Sequence, residues 1–178
     1  GLKTADDHWE FQRDTVNLMA ERLVPVMVDT LTDADETKEL AEILSQWNRK
    51  DDIEAPGATL FHAVYERYAW HTFVDELGED LAKTMLGTWY FWQERFEQMV
   101  VTDRLDHWFD DIGTTDKTET KQDILIRAAI EARADLAATL GNNPAKWQWG
   151  KVHRHTFVSP IRREGFGKGR LGGGHWPA

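Results

Sequence analysis

Histidine and glutamate residues in the first half of the chain stand at a spacing that suits a metal ion. His62 and Glu66 are four residues apart in a segment with helical periodicity, and His71 lies further along the same segment. Side chains at this spacing meet on one helix face, so the first two could share a cation. They could equally form an ordinary surface hydrogen bond. Because spacing places no third ligand beside them, we expect no metal here.

A second pair of histidines lies near the C-terminus. His153 and His155 alternate with Val152 and Arg154, which in a strand would place both imidazoles on one face, as some metal sites require. We expect no metal at this pair either.

Two other groups could bind ions. Asp103, Asp106, Asp110 and Asp111 surround Trp108 and could collect a calcium ion through oxygen ligands. They lack EF-hand spacing, so a solvated acidic turn is the preferred interpretation. Residues 165–169 resemble a phosphate loop in composition, but they lack the preceding strand and following helix that orient such loops. We expect no nucleotide site and no cofactor.

The chain offers no nucleophile with an obvious activating base. It has no cysteine, which excludes disulfides, zinc-thiolate sites and cysteine catalysis. No Ser-His-Asp set is suggested by order or context, and Thr156 and Ser159 are interpreted as loop or strand hydroxyls. We therefore predict no catalytic residue and no metal site in this chain.

The elements that would position these residues are mainly helical. Apolar residues recur at helical spacing from Thr4, a predicted N-cap, and we expect the first helix to bend or break at Pro25. Further helices are predicted over residues 32–47, 58–77, 79–101, 105–109 and 118–140. Gly78 separates two of them, and Gly141 ends the last. Residues 1–143 are therefore predicted to form one α-helical domain.

Aromatic side chains are concentrated in the two middle helices. The residues are Phe61, Tyr65, Tyr68, Trp70, Phe73, Trp89, Tyr90, Phe91, Trp92 and Phe96. They cover more than one helix face, which predicts burial by several neighbours. The last helix should bury Ile124, Leu125, Ala128, Ile130, Ala132 and Leu136. If the aromatic residues border a pocket, that pocket would suit apolar acyl or aryl groups.

The composition changes after Pro144. Residues 144–178 contain seven Lys and Arg against one acidic residue, Glu164, whereas the chain as a whole has a net charge of −10. We predict an extended, basic, Gly-rich tail with a short strand near residues 153–158, packed on the acidic helical body or on neighbouring segments. The acidic body argues against nucleic-acid binding. No apolar run reaches the roughly 18–20 residues that a membrane span needs.

An ordered set of motifs resembles the penicillin acylase (penicillin amidase) family of N-terminal-nucleophile hydrolases. Trp147, Trp149, Gly150 and His153 form a Trp-x-Trp-Gly-x-x-His pattern. The opening segment carries a Gln-x-Asp in its first helix, and residues 44–48 and 54–61 resemble a Leu-x-x-Trp motif followed by small residues before a helix. The sequence departs from the pattern at Asn48, Glu54 and Pro56.

The resemblance implies that this chain is a fragment of the catalytic β subunit, a helical segment that wraps an αββα core. In that family, a chain-terminal Ser or Cys attacks the amide of an N-acyl substrate, such as a β-lactam antibiotic or an acyl-homoserine lactone. No position here matches that nucleophile or its oxyanion donors, and residue 1 is Gly. The implied partners are the remaining segments of the same acylase, and the implied location is periplasmic or secreted. We expect the isolated chain to be inactive.

Two other functions stay open from the sequence. The chain could be a stand-alone helical module that binds a hydrophobic ligand or a partner helix through its aromatic helices. It could also be a metal-dependent enzyme that uses the histidines.

Overall fold

A computed structural model describes residues 3–88, 90–102, 104–157 and 169–172, and these form a mainly α-helical structure. The α-helices are α1 (Ala5–Gln12), α2 (Leu18–Thr32), α3 (Lys38–Gln46), α4 (Pro56–Leu77), α5 (Glu79–Thr88), α6 (Phe91–Val101), α7 (Lys121–Leu140) and α8 (Trp149–Val152). Short 3₁₀ turns lie at Asp106–Phe109 and Pro144–Lys146, and two strands follow, β1 (Arg154–Phe157) and β2 (Gly169–Gly172). No helix in the described ranges is long and apolar enough to cross a bilayer.

The first helix begins at Thr4, as predicted, but it ends well before Pro25. Thr4 accepts a hydrogen bond from the backbone of Asp7, whose side chain accepts from Thr4 in return. After Gln12 the chain forms a short bridge between Val16 and Lys50. Asn17 then caps α2 by accepting from the backbone of Ala20 at 2.9 Å. Local side-chain bonds of this kind compete with helix continuation and move the break to residues 13–17.

Pro25 lies inside α2 without ending it, so the predicted break at this residue is wrong. Proline removes one helical hydrogen bond and leaves a carbonyl without its donor. Pro25 is exposed, so water can reach that side of the helix. Leu23, Val24 and Met27 beside it are buried and hold the helix in place through packing.

Two other predicted helices are interrupted. The predicted helix over residues 32–47 begins only at Lys38, because Thr37 turns the chain by donating from its hydroxyl to the carbonyl of Leu31 at 2.7 Å. The predicted helix over 79–101 is divided into α5 and α6. Gly78 does separate α4 from α5, with a φ of 73°.

Helices α4 and α7 form the centre of the core. α7 begins at Thr120, which exchanges capping bonds with Asp123, and ends at Gly141, whose φ is 89°. Its buried residues are Ile124, Leu125, Ala128, Ala129, Ala132 and Leu136. Ile130 was predicted to be inside but is 43% exposed. Small alanines on the buried face let α4 approach closely, and this leaves Ile130 on the outer face.

Aromatic residues build much of this core. Tyr68 and Phe96 pack edge to face with ring centroids 5.1 Å apart, and Tyr68 also stacks on Phe109. Tyr90 and Phe91 depart from the predicted burial: their rings contact each other at a tilted angle, but they are 71% and 60% exposed. They lie at the junction of α5 and α6.

The C-terminal part continues from the helical core into a hairpin. Trp147 and Trp149 are buried with the residues of α4 and α7, so the helical packing continues past residue 143. β1 and β2 then pair antiparallel, from Arg154 opposite Gly172 to Phe157 opposite Gly169. The predicted strand is thus observed over Arg154–Phe157, and part of the Gly-rich segment supplies its partner.

Candidate functional site

One polar cluster joins the start of α2, the loop before α4, α4 itself and α8. It consists of Asn17, Asp51, His62, Trp149 and His153, and we call it the histidine–tryptophan cluster. Two backbone bonds bring the loop to α2: the Asn17 amide donates to the carbonyl of Arg49 at 2.8 Å, and the Asp51 amide donates to that of Thr15 at 2.9 Å. These bonds place Asn17 and Asp51 opposite the N-terminal half of α4.

Asp51 is the acceptor at the centre of the cluster. Its Oδ2 accepts from Asn17 Nδ2 at 3.1 Å and lies 3.0 Å from His62 Nε2. The side chains of Asp51 and His62 are both about three-quarters buried. Burial of a carboxylate is costly unless donors satisfy it, and these two donors do so for Oδ2.

The indole of Trp149 stacks with both histidines of the cluster. His62 lies with its ring centroid 4.4 Å from that of Trp149 at an interplanar angle of 16°, and His153 lies at 4.3 Å and 12°. The three rings come from two elements that are far apart in the sequence. The motif residues Trp149 and His153 are therefore attached to α4 through ring stacking with His62.

Trp147 and Gly150, the other motif residues, hold the same segment in place. Trp147 is 1% exposed and donates from Nε1 to the carbonyl of Gly141 at 2.8 Å. The amide of Gly150 donates to the carbonyl of Ile53 at 2.8 Å. A Cβ at position 150 would lie 2.4 Å from Ile53 Cγ2, so this approach needs glycine.

A shallow groove runs beside the cluster. It is lined by Asp14, Thr15, Val16, Asp51, Ile53, Trp149, Gly150 and His153. Burial lowers the pKa of His153 below its ordinary value of 6.5, and the nearby His62 adds to this effect, whereas Asp51 opposes it. His153 is therefore held mainly neutral at pH 7.

The cluster does not contain an activated nucleophile. His62 Nε2 lies 3.0 Å from Asp51 Oδ2 and 3.3 Å from Asn17 Nδ2, and neither partner is a hydroxyl. The hydroxyl of Thr15 donates to Asp52 at 2.7 Å, and that of Ser45 donates to the carbonyl of Glu42 at 2.8 Å. Within the described ranges, the arrangement resembles a structural polar network more than a catalytic triad.

The structure separates the residues considered as metal ligands. His62 faces Asp51, whereas His71 bonds Glu131 on α7 at 2.7 Å. His153 lies before β1 rather than in it, so it does not alternate with His155 along the strand. In the part of the chain that the structure describes, no three His, Cys, Asp or Glu side chains form a group that could hold a metal ion.

The aspartates around Trp108 serve the loop that precedes α7. Asp110 accepts from the backbone of Glu119 at 2.9 Å, and Asp111 accepts from that of Gly113 and from Arg127, both at 3.0 Å. This agrees with an acidic turn. Asp103, Trp89, Ser159 and residues 165–168 of the Gly-rich segment lie outside the described residues, and Gly169 begins β2.

Sequence reasoning did not include Asn17 and Asp51 among the candidate residues. Asn17 shows a partial signal, because asparagine is a preferred N-cap and stands just before an apolar helical pattern. Asp51 carries no such signal, since its role depends on a contact with His62 that only the folded chain creates.

Apart from this cluster, a pair of acidic side chains, Asp75 and Glu76, lies at the end of α4. Asp75 Oδ1 and Glu76 Oε2 are buried and receive no donor from the described residues. Burial raises the pKa of Glu76 to about 7, and a hydrogen bond with Asp75 together with its charge adds to the rise. Two carboxylates cannot bond each other without a proton, so a protonated Glu76 that donates to Asp75 satisfies this contact.

This pair predicts a pH-dependent stability. The folded-state pKa of Glu76 exceeds its ordinary value of 4.5, so its stabilising effect is complete below pH 4.5 and is lost as the pH rises through about 7. Glu76→Gln keeps a donor at all pH values. Between pH 4.5 and about 7, the unfolding free energy of the wild type should fall by about 1 to 2 kcal/mol more than that of the variant, after allowance for solvent screening.

Urea unfolding at pH 4.5, 6 and 8 tests this, with the exposed Glu36→Gln as the control. The control should follow the wild type at each pH. If Glu76→Gln also follows the wild type, the two carboxyl groups do not share a proton.

The fold and the site define a class of protein: a mainly helical segment whose described residues assemble a structural network but no hydrolytic set. The sequence matches the penicillin amidase family over residues 2–177. The chain therefore belongs to the penicillin amidase family.

Two bacterial relatives add detail. The acyl-homoserine lactone acylase QuiP of Pseudomonas syringae pv. syringae is 27% identical over 157 residues, which cover 84% of this chain and 18% of that protein. QuiP of Pseudomonas putida is 26% identical over 167 residues, which cover 84% of this chain and 20% of that protein. The chain thus spans about a fifth of the length of these relatives.

Proposed function

We propose that this chain is part of an acylase that hydrolyses the amide bond of an N-acyl substrate. The observation that supports the proposal is family membership over nearly the whole chain, together with relatives that are named acyl-homoserine lactone acylases. Acyl-homoserine lactones are therefore the first substrates to test, and β-lactam antibiotics are the second. By the same resemblance, the acylase is periplasmic or secreted.

Within that enzyme, the chain acts as a scaffold that shapes access to the acyl pocket and does not supply the nucleophile. The hydroxyl of Thr15 donates to the Asp52 carboxylate and that of Ser45 donates to a backbone carbonyl, so neither of these bonds goes to a histidine or an amine. A hydroxyl nucleophile is typically activated by an adjacent histidine or by an N-terminal amine. The catalytic groups then come from other segments of the same enzyme, which would pack on this one.

The test compares the intact source protein with the 178-residue chain at equal molarity. Release of the free amine from an N-acyl-homoserine lactone and from an N-acyl β-lactam is measured with each. We expect turnover by the intact protein and none above the buffer blank by the chain. Hydrolysis by the chain would place catalytic groups here, and a folded intact protein that hydrolyses neither substrate would contradict the acylase proposal.

The alternative is a stand-alone helical interaction module, which the exposed aromatic pair Tyr90 and Phe91 favours. Intact mass and peptide mapping of the source protein separate the two functions. Peptides that flank this chain, with a new N-terminal Ser, Thr or Cys among them, support the acylase. A single species of 20.6 kDa supports the interaction module.

A further inference from the structure

The stacked rings of His62, Trp149 and His153 connect two parts of the chain that are far apart in the sequence. His62 belongs to α4, whereas Trp149 and His153 lie at the two ends of α8, immediately before β1. Ring centroids 4.4 and 4.3 Å apart, with nearly parallel planes, place both imidazoles in full contact with one indole. This contact lies where the chain leaves the helical core and enters the hairpin.

The contact depends on the charge of the imidazoles. A neutral imidazole loses less solvation than an imidazolium when it stacks on an indole, and Trp149 is only 8% exposed. A proton on His153 would gain a cation–π contact of about 0.5 to 2 kcal/mol. The protonated imidazole would also have to lose its solvation beside His62. This cost outweighs the cation–π gain, because burial lowers the pKa of His153 overall.

Among the residues that the structure describes, the charges around His153 are of both signs. Asp51 is the acidic group that opposes the effect of burial, and it already accepts bonds from Asn17 and contacts His62. Asp14 lines the same groove. On the segment itself, Arg154 donates to the carbonyl of Gly150 at 3.1 Å and Lys151 to that of Lys146 at 3.0 Å, so both add positive charge near His153.

We propose that His62, Trp149 and His153 form an acid-sensitive clip that holds residues 147–157 against α4 and releases them when His153 takes up a proton. The clip is a property of this fold and does not rest on the proposed hydrolase activity. A histidine whose folded-state pKa is lowered contributes stability above its ordinary value of 6.5 and loses it as the pH falls further. Release is therefore expected on the acid side of pH 6.5.

Amide hydrogen exchange of the full chain reports the state of the clip. The amide of Gly150 bonds the carbonyl of Ile53 in another segment, so it becomes unprotected when α8 moves away. We expect the protection factor of Gly150 to be severalfold lower at pH 5.5 than at pH 7.5, because protonation of His153 favours the released state. The amide of Ala129, buried in α7, should keep its protection.

Two variants separate the clip from a general effect of acid. His153→Gln cannot take up the proton, so the change at Gly150 should fall below about twofold. His107→Gln, at an exposed histidine elsewhere, should behave as the wild type does. An equal loss of protection in His153→Gln, or none in the wild type, overturns the proposal.

A direct titration keeps the test valid if His153→Gln fails to fold. The imidazole carbon resonance of His153 in the wild type should titrate with a midpoint below 6.5, and Gly150 should lose protection at the same midpoint. A titration of His153 that leaves Gly150 protected would show that the ring takes up its proton without release, which overturns the clip.

Discussion

Trp147→Ala is expected to destabilise the fold by about 3 to 5 kcal/mol, the range typical of removing a large buried aromatic side chain. Trp147 is 1% exposed and packs with the residues of α4 and α7. Its Nε1 also donates to the carbonyl of Gly141, the residue that ends α7. The substitution therefore opens a cavity and frees the helix end at the same time. Urea unfolding at pH 7.5 measures the loss.

Trp147→Phe separates these two contributions. Phenylalanine fills most of the space but cannot donate to Gly141, which is exposed to water, so the expected loss is about 0.5 to 1.5 kcal/mol, the net effect of one hydrogen bond. Equal losses in the two variants would mean that the hydrogen bond, rather than packing, carries the stabilisation. A loss below about 1 kcal/mol for Trp147→Ala would contradict burial of this motif residue.

Most of the helices could be predicted because their limits depend on local chemistry. Thr4 and Thr120 can bond the backbone three residues ahead, and Gly78 and Gly141 adopt a positive φ without strain. Each of these signals acts within one helical turn. A reader of the sequence can therefore recognise them without knowing how the helices pack.

The break between α1 and α2 could be predicted only in part, because distant contacts add to the local cap at Asn17. The amide of Asn17 bonds the carbonyl of Arg49, and Val16 pairs with Lys50. These partners lie more than 30 residues away, whereas the proline at position 25 gave a local signal that packing overrode. The division between α5 and α6 was missed for another reason, because Tyr90 and Phe91 continue the apolar pattern although they are exposed.

The residues of the candidate site could likewise be predicted only where a local motif marks them. Trp149 and His153 could be singled out from their motif, yet their common partner His62 was assigned to a different hypothesis, with Glu66. Asp51 had no distinguishing spacing at all. The cluster forms because the loop over residues 49–53 is bonded to both Thr15 and Gly150. Such a site depends on three separate segments, and no one of them indicates the other two.

Two glycines that look equivalent in the sequence are expected to respond to alanine with opposite signs. Both lie in helices, Gly57 in the first turn of α4 and Gly87 near the end of α5. A Cβ at Gly57 would lie 2.4 Å from both Cβ and Cγ of Trp47, whereas a Cβ at Gly87 meets nothing within 4 Å. The first site is therefore packed against an aromatic ring, and the second is open.

Trp47 has little freedom to move away from Gly57. It is 6% exposed, its Nε1 donates to the carbonyl of Lys50 at 2.8 Å, and its ring packs on Phe61. The overlap involves the base of the side chain, which cannot shift without the backbone of α3. Overpacking of this kind costs about 1 to 3 kcal/mol, more than the gain of up to about 1 kcal/mol from replacing a helical glycine.

We therefore expect Gly57→Ala to lower the unfolding free energy by about 1 to 2 kcal/mol and Gly87→Ala to raise it by about 0.5 kcal/mol. Thermal and urea unfolding of both variants beside the wild type measure the two changes. Stabilisation by both would mean that α3 can move away from α4, and that helix propensity outweighs the contact with Trp47. Because the substitution is identical, the difference between the two sites isolates the effect of packing from that of the added methyl group.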